Sequence, residues 1–468
     1  MKKLKLRMMS LLLCVSLFCT VLNATARPFV VNTLSDLADN SCDDGNCSLR
    51  DAINLSTYHA IIRIEVSGTI RTSGLPVIGH SLTIVGPGEN DLNISGSNES
   101  NNIFTVNGGD VTMSHFSIVE NNSSYMGAIF AYQGEGNPDV TLKIKNMKFL
   151  NNINTSSGAA IFSRIPTLIE DSKFIGNEGG AIYFRTSQSM ISHSQFKGNK
   201  GRHGAAINYD YINVHDSNSI VKCEFTENQV TAIESEKSKG GALYVRTNLD
   251  INQTLFKYNT AFNGNGGAIY MSTPSDEYAV NIVNSTFFSN IAYGEGGAIY
   301  NASFNASILN ISFSTLTQNS SYSENAEGGG GIYNTRGGKV RVKNSLISYN
   351  YDNFVKNDCY SHDPDAFVSF GGNIYSNSDT CSFDLTYDFK TQLDQVEILA
   401  DNGGPTETCA PRENAVIVNT ARLCYDINGN RVNTDQRGVA RNDGKCDVGA
   451  FEVMNSASVL PAIYYLLN

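Results

Sequence analysis

The side chains whose types and spacing could do chemistry are mostly acidic. Asp435 with Arg437, and Asp447 with Glu452, stand close enough along the chain to suggest a paired-carboxylate centre. Glycoside hydrolases use such a pair to protonate a leaving group and activate a nucleophile. The plainer use, charge-assisted bonds that fix irregular loops, is favoured. Three further acidic pairs, Asp210 and Asp216, Glu234 and Glu236, and Asp276 and Glu277, fall in longer insertions. A polysaccharide lyase would need several such carboxylates around Ca²⁺ together with a Lys or Arg base. Solvated loop charge asks for less, and weak Ca²⁺ binding that stiffens the loops stands between the two. The seven histidines are scattered without ligand spacing, so no transition-metal site and no cofactor is expected. No catalytic residue is assigned.

Any such site would have to be positioned by a repeat that fills most of the chain. An aliphatic or aromatic residue precedes an Asn by three positions nine times: Ile118 with Asn121, Phe149 with Asn152, Phe174 with Asn177, Phe196 with Asn199, Phe225 with Asn228, Phe256 with Asn259, Phe287 with Asn290, Leu316 with Asn319, and Ile347 with Asn350. Successive copies lie 31, 25, 22, 29, 31, 31, 29 and 31 residues apart. Between them runs Gly-Gly-Ala-Ile-Tyr or a close variant, with its aliphatic residue at Ile129, Ile161, Ile182, Ile207, Leu243, Ile269, Ile299, Ile332 and Ile374. A period in this range signals units that bury their apolar faces only by stacking on one another. Ser285 and Phe287 share a side of a strand, whereas Ile282 is one step out of that alternation. A corner near Val283 and Asn284 follows. The paired glycines mark a sharp bend before the next strand.

The expected fold is therefore all-β: a single-stranded right-handed parallel β-helix with about three strands per coil. Stacked coils would set the nine asparagines into an internal amide ladder. The outward column would read Phe130, Phe162, Tyr183, Tyr244, Tyr270, Tyr300, Tyr333 and Tyr375, interrupted by Asn208. Tyr183, Tyr244, Tyr270, Tyr300 and Tyr333 form a candidate contact surface, because exposed aromatic rows stack on sugars or partner side chains. They serve equally by stacking on each other. The residues just after the ladder aromatics (Leu150, Ile175, Lys197, Thr226, Lys257, Phe288, Thr317, Ser348) include no carboxylate, which argues against an acidic column in register.

The ends differ from the repeat. Residues 1–26 read as a signal peptide, with basic Lys2, Lys3, Lys5 and Arg7, an apolar run over 8–22, and small residues at Ala24 and Ala26. The run is shorter than a bilayer span, so no transmembrane segment is expected after its removal. That removal leaves 30 Lys+Arg against 45 Asp+Glu, a net charge of −15, which excludes nucleic acid as a partner. Eight cysteines remain in the exported chain, the setting in which disulfides form. Residues 27–110 read as an N-terminal cap and first coils, where Ser48 and Asp51 have capping-box spacing for a short helix pinned by a Cys42 to Cys47 loop. The repeats fill 111–375. Residues 376–468 read as a C-terminal capping region, its last apolar stretch, 459–467, packed on the last coil. Cys223 falls at a position held elsewhere by Ser172, Ser194, Thr254, Ser285, Ser314 and Ser345, and is expected inward and free.

Cys47-Ser-Leu-Arg-Asp-Ala-Ile53 is similar to the motif that names the CSLREA domain family. The alternating repeats look like those of polymorphic outer membrane proteins, and residues 399–452 resemble the choice-of-anchor end domain of bacterial surface proteins. The resemblance implies a right-handed β-helix exported to the bacterial surface or beyond, often adhesive. It implies bridges Cys359 to Cys381 and Cys424 to Cys446, with Cys409 unassigned, and transfers no catalytic residue. One feature departs from it: the residues after Asn350 do not hold a translocating barrel of about 12 strands. The expected function is that of a non-enzymatic protein at the cell surface or secreted, the periplasm remaining open. Its partner would be a glycan or a host or cell-surface protein; oligomeric state stays open. The alternative is a lyase or hydrolase acting on an extracellular polysaccharide.

Overall fold

The computed structural model describes residues 28–96, 101–124, 126–136, 140–185, 188–210, 218–231, 236–273, 278–302, 307–324, 327–378, 380–383, 386–442 and 444–454. The expected signal peptide, the 459–467 stretch, Asp216, Glu234, Asp276 and Glu277 lie outside them.

One coil shows how the sequence makes the fold. Strand Ala279–Val283 ends at Asn284, whose φ of 48° turns the chain. Strand Thr286–Phe288 follows, then Ser289 at φ 51°, the buried Asn290, and strand Ile299–Asn301 after the paired glycines. Each residue pairs with its equivalent in the coils before and after, as Phe256, Phe287 and Leu316 do. Repetition builds a parallel β-helix with three long sheets of thirteen, ten and thirteen strands. The first begins at Phe29–Val31, the second at Phe104–Val106 and the third at Gly68–Thr72. A fourth set of short strands follows the ladder asparagines. Among the described residues, no helix is long and apolar enough to cross a membrane.

Both corner positions are held by residues in the left-handed region. Asn146, Lys222, Asn284 and Asn344 occupy one, and Glu227, Tyr258, Ser289 and Tyr349 the other. Each such non-glycine residue costs roughly 1–2 kcal/mol, which stacking must offset. The rings of Phe149, Phe174, Phe196, Phe225, Phe256 and Phe287 lie 4.7–4.8 Å apart with planes within 7° of parallel. All six are fully buried, and each such burial contributes about 1.5–3 kcal/mol.

Beside them, the Nδ2 of Asn152 donates to Asn177 Oδ1, and the same link recurs through Asn199, Asn228, Asn259, Asn290 and Asn319 to Asn350. Each Nδ2 also donates to a carbonyl of the preceding coil, as Asn259 does to Phe225. Asn121 joins only through its backbone N–H, which donates to Asn152 Oδ1. At the far end Asn350 donates to Asp358. A second column links backbone N–H groups to hydroxyls: Thr254 donates to Ser285, Ser285 to Ser314, and Ser314 to Ser345. It passes to Asn373 and ends on Asp388. Cys223 sits in this column, buried and unbridged.

Gly297 shows why the coil carries paired glycines. A Cβ there would meet the Gly330 carbonyl and the Ser320 backbone of the next coil. Gly297→Ala is expected to cost about 1–3 kcal/mol through overpacking, read as a lower urea midpoint. An unchanged midpoint would mean that the coils separate easily.

Asp358 carries a pH dependence. It is fully buried and accepts five hydrogen bonds, from Asn350 N and Nδ2, Ser376 N and Oγ, and Asn377 N. Burial pushes its carboxyl up from 3.8 to about 6, against the pull of those bonds; when protonated, its O–H donates to Ser376 Oγ, 2.8 Å away. An acid raised on folding favours the fold fully below the unfolded value and loses that contribution as pH rises through the folded one. The loss between pH 3.8 and 6 is about 3 kcal/mol. Wild type minus Asp358→Asn, followed by urea unfolding from pH 4 to 7, should show this decline; parallel profiles would refute it.

At the N-terminal edge, Ser48 accepts from Asp51 N to start the helix Leu49–Leu55. Leu49, Ala52 and Ile53 join the core formed by the first strands. The disulfides are Cys42 to Cys47, Cys359 to Cys381 and Cys424 to Cys446; Cys409, like Cys223, is free.

The last coil corrects the sequence reading at one point. Ile374 pairs with Leu346 and Tyr375 with Ile347, so Tyr375 lies in register with the inner Phe stack, where it stacks on Phe383 at 4.1 Å. Cys359 and Tyr360 take the positions after Ile332 and Tyr333 instead. Gly371 and Gly372, both left-handed, turn the chain into the third sheet rather than the second. The C-terminal region also reaches beyond the last coil. It runs back along the flank, where Val396, Cys409, Ile417 and Val448 pack on Phe288 and Leu346, and Asp435 O accepts from Gln253 Nε2.

Candidate functional site

With the third sheet partly covered by the C-terminal segment, the second sheet presents the regular aromatic row. In register along it stand Phe130, Phe162, Tyr183, Asn208, Tyr244, Tyr270, Tyr300, Tyr333 and Tyr360. The neighbouring Ile residues point inward, so strand alternation sends these rings out. Centroids of Tyr270 and Tyr300 are 4.9 Å apart, those of Tyr300 and Tyr333 5.1 Å, and those of Tyr244 and Tyr270 5.7 Å. The rings thus stack on each other and leave mainly their edges to solvent; Tyr333 is only 6% exposed. Burial holds the phenols of Tyr183, Tyr244, Tyr270, Tyr300 and Tyr333 above their ordinary range. They act as neutral hydroxyls.

Cations border the row. Arg164 lies 5.4 Å from the Phe162 ring centre, and Lys239 lies 5.9 Å from that of Tyr244, within cation–π reach. Tyr183 Oη donates to Asp210 Oδ2 at 2.5 Å, and Arg246 donates to Asp210 Oδ1 at 2.9 Å. Asp210 therefore ties together the two coils on either side of Asn208. Glu236 lies 3.9 Å from His203 Nε2.

The C-terminal acids are engaged in structural bonds. Asp435 Oδ2 accepts from Arg437 and from Glu452 N. Asp447 accepts from Asn419 N and Val453 N, and Glu452 Oε2 from Arg441 and Asp447 N. Asp435, Asp447 and Glu452 are at most 2% exposed. Among the described residues, no group of three or more His, Cys, Asp or Glu could hold a metal ion. Burial pushes the thiols of Cys223 and Cys409 up to about 12, far from a nucleophilic thiolate.

A second aromatic row went unread in the sequence. Phe262, Tyr293, Tyr322 and Phe354 follow one another at 5.3–5.5 Å between ring centres, stacked at the first contact, tilted at the second and edge-on at the third, at or just beyond the short strands after the ladder. Tyr293 is 49% and Phe354 82% exposed. Its signal was available: Phe262, Tyr293 and Tyr322 each lie three residues beyond a ladder Asn.

The repeat itself has known counterparts. Residues 253–272 and 284–302 match the Chlamydia polymorphic membrane protein repeat. Each matched segment holds one Phe-to-Asn corner and one Gly-Gly-Ala-Ile strand, so the repeat covers the third- and second-sheet strands of the coil described above. No curated protein matches the chain. Among solved structures, ORF18 of Geobacillus virus E2 is 11% identical, with a TM-score of 0.39, over 75% of this chain. The chain spans 61% of that protein's length. Pectate lyase Pel9A is 12% identical, with a TM-score of 0.42, over 91% of this chain and 97% of that one. Neither likeness bears on activity.

Proposed function

We propose that this chain is a non-enzymatic β-helix protein, exported to a bacterial surface or its surroundings, that binds a glycan or a cell-surface protein through its outward aromatic row. The polymorphic membrane protein repeats support the surface assignment. The observation that carries the binding role is the in-register row from Tyr244 to Tyr360, in which each coil adds one phenol ring, half-buried except at the buried Tyr333. Such a row suits an extended partner, because it presents ring edges and hydroxyls at one per coil along its length. A glycan array and a cell-binding assay test it. The double variant Tyr270→Ser, Tyr300→Ser should bind at least tenfold more weakly than wild type. Equal binding would remove the row from consideration. Release of unsaturated or reducing-end sugar from a panel of acidic polysaccharides would replace this reading with the enzymatic one.

A further inference from the structure

The aromatic row breaks at Asn208, on the coil that follows the shortest one. From Phe174 to Phe196 the chain takes 22 residues, where other coils take up to 31. The loss falls between the ladder Asn and the paired glycines: only Glu178 separates Asn177 from Gly179, whereas five residues separate Asn290 from Gly296. The backbone responds. Both Gly179 and Gly180 take positive φ, at 99° and 83°. A Cβ on Gly180 would have no neighbour nearer than 3.6 Å, whereas one at the equivalent Gly297 would strike the next coil.

The missing loop leaves a cleft of about 290 Å³. Thr155, Ser156 and Ser157 of the preceding coil form one side, Arg202 and His203 of the following coil the other, and Asn208 joins the lining. His203 is held by its ring contact with Tyr244, at 5.4 Å between centroids. One polar atom here, Asn208 Oδ1, is shielded from solvent without a hydrogen-bond partner. Such an atom costs about 1–3 kcal/mol until something pairs with it. Burial and then Lys239 lower the His203 pKa, so the ring is neutral at pH 7. The acids nearby are Glu178, Glu236 and Asp210, the last already bonded to Tyr183 and Arg246.

We propose that this notch binds one carboxylated sugar residue of a glycan whose neighbouring units lie along the Tyr244–Tyr333 row. Sugar hydroxyls pair with the Thr155 to Ser157 hydroxyls and the open side of Asn208, and the carboxylate pairs with Arg202. The fit is one of type and size: a concave site, lined by convergent polar groups, flanked by rings. Arg202 supplies the planar donor set that carboxylates prefer.

This inference rests on the glycan reading above, and its test separates the two. The full chain is titrated by calorimetry with a uronate-containing oligosaccharide and with its carboxyl-reduced, neutral counterpart. Asn208→Tyr fills the notch and continues the row; Arg202→Ala removes only the cation. Asn208→Tyr should weaken uronate binding at least tenfold. Arg202→Ala should do so about tenfold while leaving the neutral counterpart unchanged. If both variants bind as wild type while Tyr270→Ser, Tyr300→Ser loses affinity, the notch is wrong and the aromatic row stands. If wild type binds neither probe and no glycan on the array, both readings fall. Should Asn208→Tyr fail to fold, surface Arg202→Ala alone decides.

Discussion

Asn259→Ala is expected to lower the unfolding free energy by about 3–5 kcal/mol more than Asn121→Ala does. Both residues are buried, and both truncations leave the same small cavity. They differ in bonding. Asn259 Nδ2 donates to Phe225 O and to Asn290 Oδ1, each at 2.9 Å, while its Oδ1 accepts from Asn228 N at 3.1 Å and Asn228 Nδ2 at 2.9 Å. Removing it takes the acceptor from the buried Asn228 N–H and the donor from the buried Phe225 carbonyl in the preceding coil, and a donor from Asn290 Oδ1 in the next. The side-chain atoms of Asn121 have no partner. Its truncation loses only packing, and gains by removing two unpaired polar atoms. Urea unfolding followed by tyrosine emission reads both variants, since the chain has no Trp. Equal midpoints for the two would show that the ladder contributes packing rather than hydrogen bonding. In a stacked array the loss need not stay local, because each coil is stabilised mainly through its neighbours. A broadened transition for Asn259→Ala would place the break in the middle of the stack.

The coil was legible in the sequence because stacking demands the same residue type at the same place each turn. A step out of alternation between Ile282 and Ser285 is enough to locate the corner that Asn284 makes. The ends were less legible for the same reason. Where the ladder stops, its last donor needs an acceptor that the repeat does not supply. Asp358 and Asp388 fill that need from positions with no periodic signature. The final Gly-Gly pair reads like its predecessors, yet Cys359 has already taken the second-sheet position, so Ile374 and Tyr375 pass to the third. The flank docking could not be read at all, since Asp435 meets Gln253 across 182 residues. The candidate surface was half legible. Alternation shows which rings point outward and in-register stacking brings them together, but the notch at Asn208 depends on coil length and backbone angles.

That flank docking depends on one guanidinium. Arg441→Met is expected to cost about 3–5 kcal/mol and to free the C-terminal segment from the coils. Arg441 is 2% exposed. Its Nη1 donates to Glu452 Oε2 at 2.5 Å and to Asp447 O at 3.0 Å; its Nη2 donates to Gly449 O at 2.7 Å and to Asn284 Oδ1 at 3.3 Å. The guanidinium also lies 4.6 Å from the ring centre of Phe313. It thus joins three points of the irregular segment to two successive corners of the β-helix. Methionine keeps the apolar stem and loses every one of these bonds, leaving Glu452 buried without its cation. The expected readout is rapid proteolysis within 391–453, the coils themselves staying resistant. Adding Glu452→Gln to Arg441→Met should restore part of the stability, because it removes the uncompensated charge while keeping an acceptor for Asp447 N. If the single variant resists proteolysis as wild type does, the segment is held by its apolar contacts with Phe288 and Leu346. If the double variant is no better than the single one, the cost lies in lost hydrogen bonds to the carbonyls rather than in the buried charge.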